Sequence, residues 1–568
     1  MLAPKRARLL SFSLGILAAA WATAQQPAGT PAPAAPAESQ ADFLPLPDRW
    51  RLDFPDWDRY TRGKLADPYN RNVLKGDYPL FGQKTFFVVT GVSDTLGETR
   101  RLPVPSDVSS QNPDSEEFFG KGRQGFFLQE VLLTLSLFHG DAAFRPRDWE
   151  LRVTPVGSFN YLHAEENGIV NIDVRKLNTR TDRHVGLQEA FGEVKLFDVS
   201  PYYDITSLRV GIQGFTSDFR GFVFSDNQLG ARFFGNFGSN RYQWNIAAFD
   251  MLEKDTNSGL NTIHTRNQHV GIGNFFAQDF LVPGYTTQIS ILYNDDKGPI
   301  HYDENGFLVR PAPIGDVTQH RERVGYIGWT GEGHIGRLNI SHAAYEAYGD
   351  DERDPIAGRK VRVNAQMAAL ELSVDVDWWR PLLSFFWSSG DANPTDGTAR
   401  GFSAILDNTK FLGGPNSFWN RQGIALTQTG VKLVSPNSVI PDLRSSKDEG
   451  QAEYVNPGIF EGGLTFDFQL TPKLKLEVLG NALWFHHTQP LELLLFQPNI
   501  HREIGKECGL GVTYRPFLNQ QVILTAGAAA FFPGTGFKDI YTSNCSGLNC
   551  GAKSKTLYQG FTSLIFAY

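Results

Sequence analysis

The feature that most constrains the fold of this chain is a two-residue alternation of apolar and polar side chains, which recurs from Lys84 to the last residue. In the run WELRVTPVGSFNY (Trp149–Tyr161), apolar side chains alternate with Glu150, Arg152 and other polar ones. Successive side chains of a β-strand point to opposite faces, so each run has an apolar and a polar face. The same pattern recurs in Leu464–Leu470, Leu474–Trp484 and Val522–Phe532. These runs predict an all-β chain.

Short and long connections alternate between the predicted strands. The short ones lie around residues 238–240, 378–381, 471–473 and 515–520, and the long ones near residues 102–123, 163–184, 253–267, 297–321, 391–456, 488–503 and 534–555. Bacterial outer-membrane barrels have an even number of antiparallel strands, short periplasmic turns and longer outer loops. Residues 84–568 are therefore predicted to form a closed transmembrane antiparallel β-barrel of about 18 strands, with both termini periplasmic.

The sequence ends in the alternating run TLYQGFTSLIFAY. Leu564, Phe566 and Tyr568 share one face of this run. In a closed barrel the last strand pairs with the first, so we predict that these three residues form the barrel-closure signal. Their aromatic ending resembles the C-terminal recognition signal of outer-membrane proteins, which implies the barrel-assembly machinery as a partner.

A secreted all-β protein such as a propeller or a solenoid is the alternative fold. Propellers and solenoids repeat their sequence at a fixed period, and this sequence has no such period. Aromatic residues make up 13% of the chain, with 43 phenylalanines. This abundance on alternating strands favours a barrel whose outer face contacts outer-membrane lipid.

The N-terminal part is predicted to direct export. Residues 1–24 combine a basic cluster, an apolar run and the small-residue ending Ala22-Thr23-Ala24, which is typical of a cleaved signal peptide. Residues 25–40 form a Pro/Ala-rich linker, and residues 41–83 an irregular periplasmic segment that is a candidate surface for a periplasmic partner. The predicted location is the cell outer membrane.

The polar faces of the strands supply candidate lumen-lining residues. They are Glu150, Arg152, Glu193, Lys195, Arg209, Arg241, Asp467, Lys475 and Glu477. Acidic and basic side chains in a narrow aqueous lumen select solutes by charge, whereas a structural ladder of ion pairs is the alternative for any one of them. The net charge of -8 argues against a nucleic-acid partner. Small hydrophilic solutes are the predicted ligands.

The longest predicted loop, 391–456, contains the apolar and Gly-rich stretch KFLGGPNSFWNRQGI. Phe411, Phe418, Trp419 and Arg421 mark it as a candidate constriction loop. Apolar side chains in a loop need a surface to bury against. Two arrangements remain open: the loop folds back into the lumen, or it caps the barrel from outside.

Cysteine and histidine patterns give little sign of a cofactor. Cys545 and Cys550 enclose a Gly/Ser/Asn-rich stretch and are predicted to form a small loop disulfide, while Cys508 lies in a strand. The acidic groups Asp295-Asp296 and Asp350-Asp351-Glu352 are interpreted as hydrated surface rather than as a calcium site. His486 and His487 point to opposite faces of a strand end. We therefore predict no metal and no cofactor.

An enzyme is also not expected. Ser341-His342 and the pair Ser158 and His163 lack the spacing of a nucleophile and its base, and no Gly-x-Ser-x-Gly motif occurs.

The stretch from Arg502 to Gly534 resembles the closing hairpin of the alginate-export-type outer-membrane porin family. The matching residues are Ile504-Gly505, Glu507, Leu510, Tyr514-Arg515, Ala526-Gly527 and Phe531-Phe532-Pro533-Gly534. The run LRVGIQ (208–213) is similar to a lumenal strand of that family, which adds Gln213 to the candidate lumen residues. Ile212 and Cys508-Gly509 depart from the family pattern.

The resemblance implies an eighteen-stranded passive porin for small hydrophilic solutes or saccharides, without specifying alginate. The alternative function is a barrel scaffold that sheathes a partner such as a multihaem cytochrome. The chain has no Cys-x-x-Cys-His motif of its own, so it would supply only the sheath.

Overall fold

The computed structural model describes residues 72–104, 106, 121–141, 145–427, 437–441, 443, 447–518, 520–540 and 556–568. The predicted signal peptide, the linker and most of the segment 41–83 lie outside these residues, as does the predicted disulfide between Cys545 and Cys550.

Eighteen long strands form one closed sheet. They are β1 (Thr85–Arg101), β2 (Arg123–His139), β3 (Trp149–Ala164), β4 (Thr179–Asp198), β5 (Ile205–Thr216), β6 (Ser225–Phe237), β7 (Tyr242–Lys254), β8 (Asn261–Ala277), β9 (Tyr285–Asp296), β10 (Glu322–Ile335), β11 (Leu338–Asp354), β12 (Arg359–Val374), β13 (Trp379–Ser388), β14 (Ile459–Thr471), β15 (Leu474–Phe485), β16 (Glu503–Tyr514), β17 (Val522–Pro533) and β18 (Leu557–Ala567). Each pairs antiparallel with its neighbours in sequence, and β18 pairs with β1 from Val92↔Ala567 to Arg101↔Tyr558. The predicted 18-strand antiparallel barrel is confirmed.

The links between strands differ at the two ends of the barrel. One end, here named the turn end, carries links 140–148, 199–204, 238–241, 278–284, 336–337, 375–378, 472–473 and 515–521. The start of β1 and the end of β18 lie there too. The other end, named the loop end, carries the longer links, including 102–122, 297–321, 389–458 and 534–556. The longest links therefore lie at one rim of the barrel.

One predicted long link is short in the structure. The prediction placed a loop at residues 253–267, but β7 and β8 stay paired to Lys254↔Asn261, so only 255–260 joins them. Two register shifts interrupt this pairing, and such bulges break the strict alternation from which strand ends were read.

The strands present an apolar outer face and a polar inner face. On β14, Leu464 and Phe466 point outward and are exposed, whereas Thr465 and Asp467 point into the lumen. Ile289, Ile291, Ile327 and Trp329 are likewise exposed on β9 and β10. The closed ladder leaves no sheet edge, so backbone groups are satisfied without water, as a lipid environment requires.

The last strand closes the ring with its aromatic side chains outward. Phe566 and Tyr568 are exposed on the same face as Leu564, while Gln559 and Phe561 are buried on the inner face. Tyr568 exchanges two backbone hydrogen bonds with Gly91. Beyond them Lys75 forms a bridge with Val88, so residues from the N-terminal side continue the pairing along β1.

Little other regular structure is present in the described residues. The short helices are α1 (Phe418–Gln422), α2 (Gln489–Leu494) and α3 (Thr535–Ile540), and none of them has the length and apolar character of a membrane-spanning helix. A small hairpin joins His301–Tyr302 to Leu308–Arg310, and Thr398–Ala399 pairs in parallel with β12.

Candidate functional site

Three arginines line the inner wall formed by β3 to β6. Arg152 pairs with Glu150 at 2.8 Å and lies 3.6 Å from Glu189. Arg209 donates from Nε to Glu193 at 2.7 Å. Arg232 lies opposite Arg209 in the strand register and donates to Asn245 rather than to a carboxylate. We name Arg152, Arg209 and Arg232 the arginine ladder.

Phenylalanine rings separate the guanidinium groups of the ladder. Phe191 lies between Arg152 and Arg209, at 5.2 and 4.3 Å from ring centre to guanidinium carbon. Phe234 lies between Arg209 and Arg232, at 5.8 and 4.3 Å. A guanidinium over an aromatic face is attracted by the ring quadrupole, which holds three like charges on one wall.

Arg241, which the sequence analysis predicted to line the lumen, does not lie on the lumen wall. Arg241 lies exposed in the turn between β6 and β7, where its guanidinium packs on the neighbouring Tyr242. Arg232 was overlooked, although its two-residue spacing from Phe234 along β6 was a usable signal. The error arises because Arg241 is the last residue before a strand, where alternation does not define a face.

The other predicted lumen residues lie in three places. Lys195 bridges Asp148 and Asp198 near the turn end, both at 3.1 Å, and Gln213 is fully buried with its amide donating to the Gly230 carbonyl. Lys475 pairs with Asp467 at 2.9 Å and with Glu477 at 3.7 Å on β14 and β15.

The described part of the link 389–458 folds back into the lumen. Its helix α1 begins after Ser417, whose side chain accepts from the Asn420 amide, and ends at Gly423 in the left-handed conformation. Phe418 and Trp419 are buried and stack on Phe531 of β17. Fully burying one such aromatic ring stabilises the folded protein by about 2 kcal/mol. Packing of this apolar stretch against the inner wall is therefore favoured over its exposure to water.

Carboxylates on the inner wall hold this link in place. Glu507 of β16 is buried and accepts from the Ser417 hydroxyl at 2.6 Å, the Trp419 amide at 2.9 Å and the Asn481 side chain at 2.7 Å. Glu98 of β1 accepts two hydrogen bonds from Arg421 and one from Gln422.

Further contacts span the interior. Asn416 donates to Glu477 at 2.8 Å, and Asn481 donates to the Leu412 carbonyl at 3.1 Å. These bonds fasten the link to three strands, β1, β15 and β16.

A second inserted link, 217–224, was not predicted. Its Ser217 carbonyl accepts from Asn274, Gln288 and Ser290 on β8 and β9. Phe222 packs on Phe386 of β13 and on Phe411 of the first inserted link. The stretch TSDFRGFVF is apolar for a short surface turn, which was the available sequence signal.

The two inserted links meet inside the barrel. Phe224 and Leu406 form a parallel bridge, and the Ile405 amide donates to the Val223 carbonyl. Arg220 reaches across to Glu371 at 2.8 Å and to the Ser341 hydroxyl at 3.1 Å. The lumen is thus narrowed by segments of the chain itself.

Polar cavities lie on both sides of this narrowing. The cavity toward the turn end has about 650 Å³, and the one toward the loop end has about 340 Å³. The first is lined by Arg220, Arg380, Lys410 and Lys475 together with Glu332, Glu371, Asp467 and Glu477. The second is lined by Arg100, Lys254 and Arg421 together with Glu98, Asp226 and Asp448. Among the described lining residues of each cavity, arginines and lysines equal aspartates and glutamates in number, and Asn437 lines both cavities.

A histidine fastens the beginning of the long inserted link. The Gly390 amide donates to Nδ1 of His486 at 2.9 Å, just beyond the end of β15. Burial, followed by the charges of His487 and Arg502, lowers the pKa of His486 to about 4. The imidazole is therefore neutral at ordinary pH, as an acceptor for the Gly390 amide must be.

The serine and histidine pairs noted in the sequence are not catalytic dyads. Ser341 lines the inner cavity, whereas His342 lies on the outer face and bonds the Tyr285 hydroxyl at 2.6 Å. Ser158 points inward and its companion His163 lies on the opposite face of β3. Cys508 is exposed on the outer face of β16.

Comparison with known proteins finds no matching protein-family model and no matching curated protein. Among solved structures, the chain is similar to OccK9 (OpdG) of Pseudomonas aeruginosa, with a TM-score of 0.46 and 10% identity over 85% of this chain and 98% of the other.

A BenF-like porin from Pseudomonas fluorescens Pf-5 gives a TM-score of 0.43 and 9% identity over 85% and 98%. OccAB4 of Acinetobacter baumannii gives 0.42 and 9% over 86% and 98%. Nothing in these comparisons identifies the chain as an alginate-export-type porin. Similarity at this level carries no argument about function, which rests on the geometry of the narrowed lumen.

Proposed function

We propose that this protein is an outer-membrane channel for the passive diffusion of small hydrophilic solutes. The observation that carries the proposal is the narrowed lumen, with a polar cavity on each side of the inserted links and Asn437 lining both cavities. A barrel of this strand number encloses an aqueous channel unless something fills it. Here the inserted links leave space that is lined by charged side chains.

The charge pattern defines the solute class. Each cavity is lined by acidic and basic groups in equal number, and most of them are already paired, as Lys475 is with Asp467. Opposed charges orient water and polar molecules without retaining one sign of ion. Small neutral or zwitterionic solutes and short saccharides fit this lining better than a polyanion such as alginate. The hairpin resemblance at residues 502–534 then reflects barrel closure rather than a shared substrate.

The proposed location is the outer membrane, with the turn end in the periplasm. The exposed apolar side chains on the outer face, such as Ile291 and Trp329, suit lipid contact. Short turns and both ends of the sheet lie at one rim, which is the periplasmic arrangement of outer-membrane barrels. Assembly by the barrel-assembly machinery, and a periplasmic partner for residues 41–83, belong to the same proposal.

The sheath function has less support. A sheath around a cytochrome needs an open lumen, and the inserted links occupy this one with their own side chains, including Phe411 and Trp419. The same occupancy accounts for a channel of small size. No described feature favours an enzyme over a channel.

The test is permeation through purified protein in liposomes, with sugars of graded size. We expect swelling that slows steeply from monosaccharide to trisaccharide. Asn437→Trp should lower both swelling and single-channel conductance, because a large ring would stand where the cavities meet. Asn393→Trp, at an exposed position in the same inserted link, is the matched control and should leave them unchanged. Folded wild-type protein that passes neither ions nor sugars would refute the channel.

A further inference from the structure

Three metal-ligand side chains converge at the loop end of β10 and β11. His320 precedes β10, Glu322 begins it and Asp351 lies on β11. The His320 Nε2 atom lies 3.6 Å from a Glu322 oxygen and 3.8 Å from an Asp351 oxygen. Ligand atoms of all three residues lie within 4.8 Å of one another. The side chains are only 3%, 1% and 4% exposed, so the cluster is part of the interior.

The fold fixes each of these groups. Glu322 and Asp351 are direct partners in the register of β10 and β11, and both point inward. The Nδ1 atom of His320 lies 2.9 Å from the Thr318 carbonyl, to which it donates. With Nδ1 as the donor, Nε2 is the ring nitrogen that faces the two carboxylates. Orientation of an imidazole through its other nitrogen is the usual support of a metal-ligating histidine.

Further buried carboxylates lie beside the cluster. Asp296 lies beside Glu322 on β9 and Asp354 follows Asp351, and both are buried. Among the described residues, Arg266 lies 3.7 Å from Asp296. The nearby Arg321 and Arg323 lie on the outer face of β10, where they pair with Asp295 and Asp350. Four inward carboxylates, those of Glu322, Asp351, Asp296 and Asp354, therefore lie on β9 to β11 at the loop end.

The sequence analysis interpreted the acidic run Asp350-Asp351-Glu352 as hydrated surface, and this interpretation fits only part of the run. Asp350 and Glu352 are on the outer side, but Asp351 and Asp354 are buried.

We propose that His320, Glu322 and Asp351 bind one divalent transition-metal ion, such as Zn²⁺ or Mn²⁺. One neutral imidazole and two carboxylates give a ligand set whose charge a divalent ion cancels. An imidazole ligand favours transition metals, whereas Ca²⁺ takes six or more oxygens. With bonds of about 2.1 Å, tetrahedral ligand atoms lie about 3.4 Å apart. The two separations from His320, 3.6 and 3.8 Å, therefore need to close by only a few tenths of an ångström.

The bound ion would act as a structural clip at the loop end. His320 ends the link 297–321, and the Gln451 side chain of the inserted link 389–458 donates to the His320 carbonyl at 3.3 Å. The ion would therefore join β10 and β11 to the link 297–321. Through Gln451 it would also connect them to the inserted link 389–458. This role does not depend on the solute or on whether the barrel conducts.

The test is metal content and binding in purified, folded barrel. After chelator treatment and dialysis against Zn²⁺ or Mn²⁺, elemental analysis should give one ion per chain, and Mn²⁺ should show an immobilised electron paramagnetic resonance signal. His320→Ala and the isosteric pair Glu322→Gln and Asp351→Asn should each lose the ion. Heat-modifiable migration on gels checks that each variant is folded.

His501→Ala is the matched control, because His501 forms an exposed pair with the single carboxylate of Asp539 at 2.7 Å. It should keep full metal content. Retention of the ion by His320→Ala would place it elsewhere and overturn the proposal, as would wild-type protein without bound metal. Displacement by equimolar Ca²⁺ would overturn the assignment to a transition metal.

Discussion

The pair between Arg421 and Glu98 should control how firmly the inserted link stays against the barrel wall. Arg421 donates from Nε at 2.8 Å and from Nη2 at 2.6 Å to one oxygen of Glu98. Its guanidinium also lies 4.0 Å from the ring centre of Phe561. Replacing Arg421 with alanine removes all three contacts and leaves the Glu98 carboxylate buried. The docked state of the link should be destabilised.

The magnitude follows from the burial of the two side chains, 16% exposed for Arg421 and 2% for Glu98. Removing one member of a buried ion pair costs about 3–5 kcal/mol. Glu98 keeps its hydrogen bond from Gln422 at 2.8 Å and lies 3.9 Å from Arg100, so the lower end applies. About 3 kcal/mol corresponds to a shift of about 100-fold between the docked and released link.

Single-channel recording in planar bilayers is the assay. We expect Arg421→Ala to spend about 100-fold more time in a state of higher conductance, because release of the link widens the lumen. The control is Arg175→Ala, which removes an arginine from a pair with Asp173 at a position where Arg175 is 86% exposed. Surface pairs contribute little, so its traces should match the wild type. Unchanged traces for folded Arg421→Ala would refute the view that this pair holds the link.

Three other outcomes are expected. Arg232→Gln should move the reversal potential in a salt gradient toward cations, because the nearby Glu193 already pairs with Arg209, whereas Arg241→Gln should leave it unchanged. Folding lowers the pKa of His486 to about 4. The hydrogen bond from the Gly390 amide to the neutral His486 ring is therefore fully present above pH about 6.5 and is lost as the pH falls toward 4. High-conductance events should increase over that range in the wild type and stay constant in His486→Gln. Deleting Phe566–Tyr568 should remove backbone bonds to β1 and leave the protein out of the outer membrane, so normal amounts of heat-modifiable truncated protein there would contradict the closure argument.

The sequence alone determined the barrel. A two-residue period sustained over residues 84–568 is compatible with strands that have one water-facing polar face and one apolar face. An even number of such antiparallel strands can close into a barrel that has no free edge. That Leu564, Phe566 and Tyr568 share one face followed from the same local rule, because alternation is a property of neighbouring residues. The structure places that face outward.

Sequence alternation was less informative at strand ends and bulges. Arg241 lies in a turn rather than on the lumen wall, and Arg232 takes the place expected for it. The short link 255–260 appears only once the irregular pairing of β7 and β8 is known. One residue of register decides which face a side chain occupies, and local sequence does not define that register at a strand end.

Only the tertiary structure decided what lies inside the barrel. The sequence marked the stretch around Trp419 as apolar but left it inside or outside, because its partners Glu98 and Glu507 are distant in the chain. The second inserted link likewise depends on which strands face each other across the closed ring, whereas the meeting of His320, Glu322 and Asp351 depends on the register of the neighbouring strands β10 and β11. Periodicity is a local property that fixes faces, whereas these contacts arise from closure, which brings residues hundreds of positions apart to one side of the lumen.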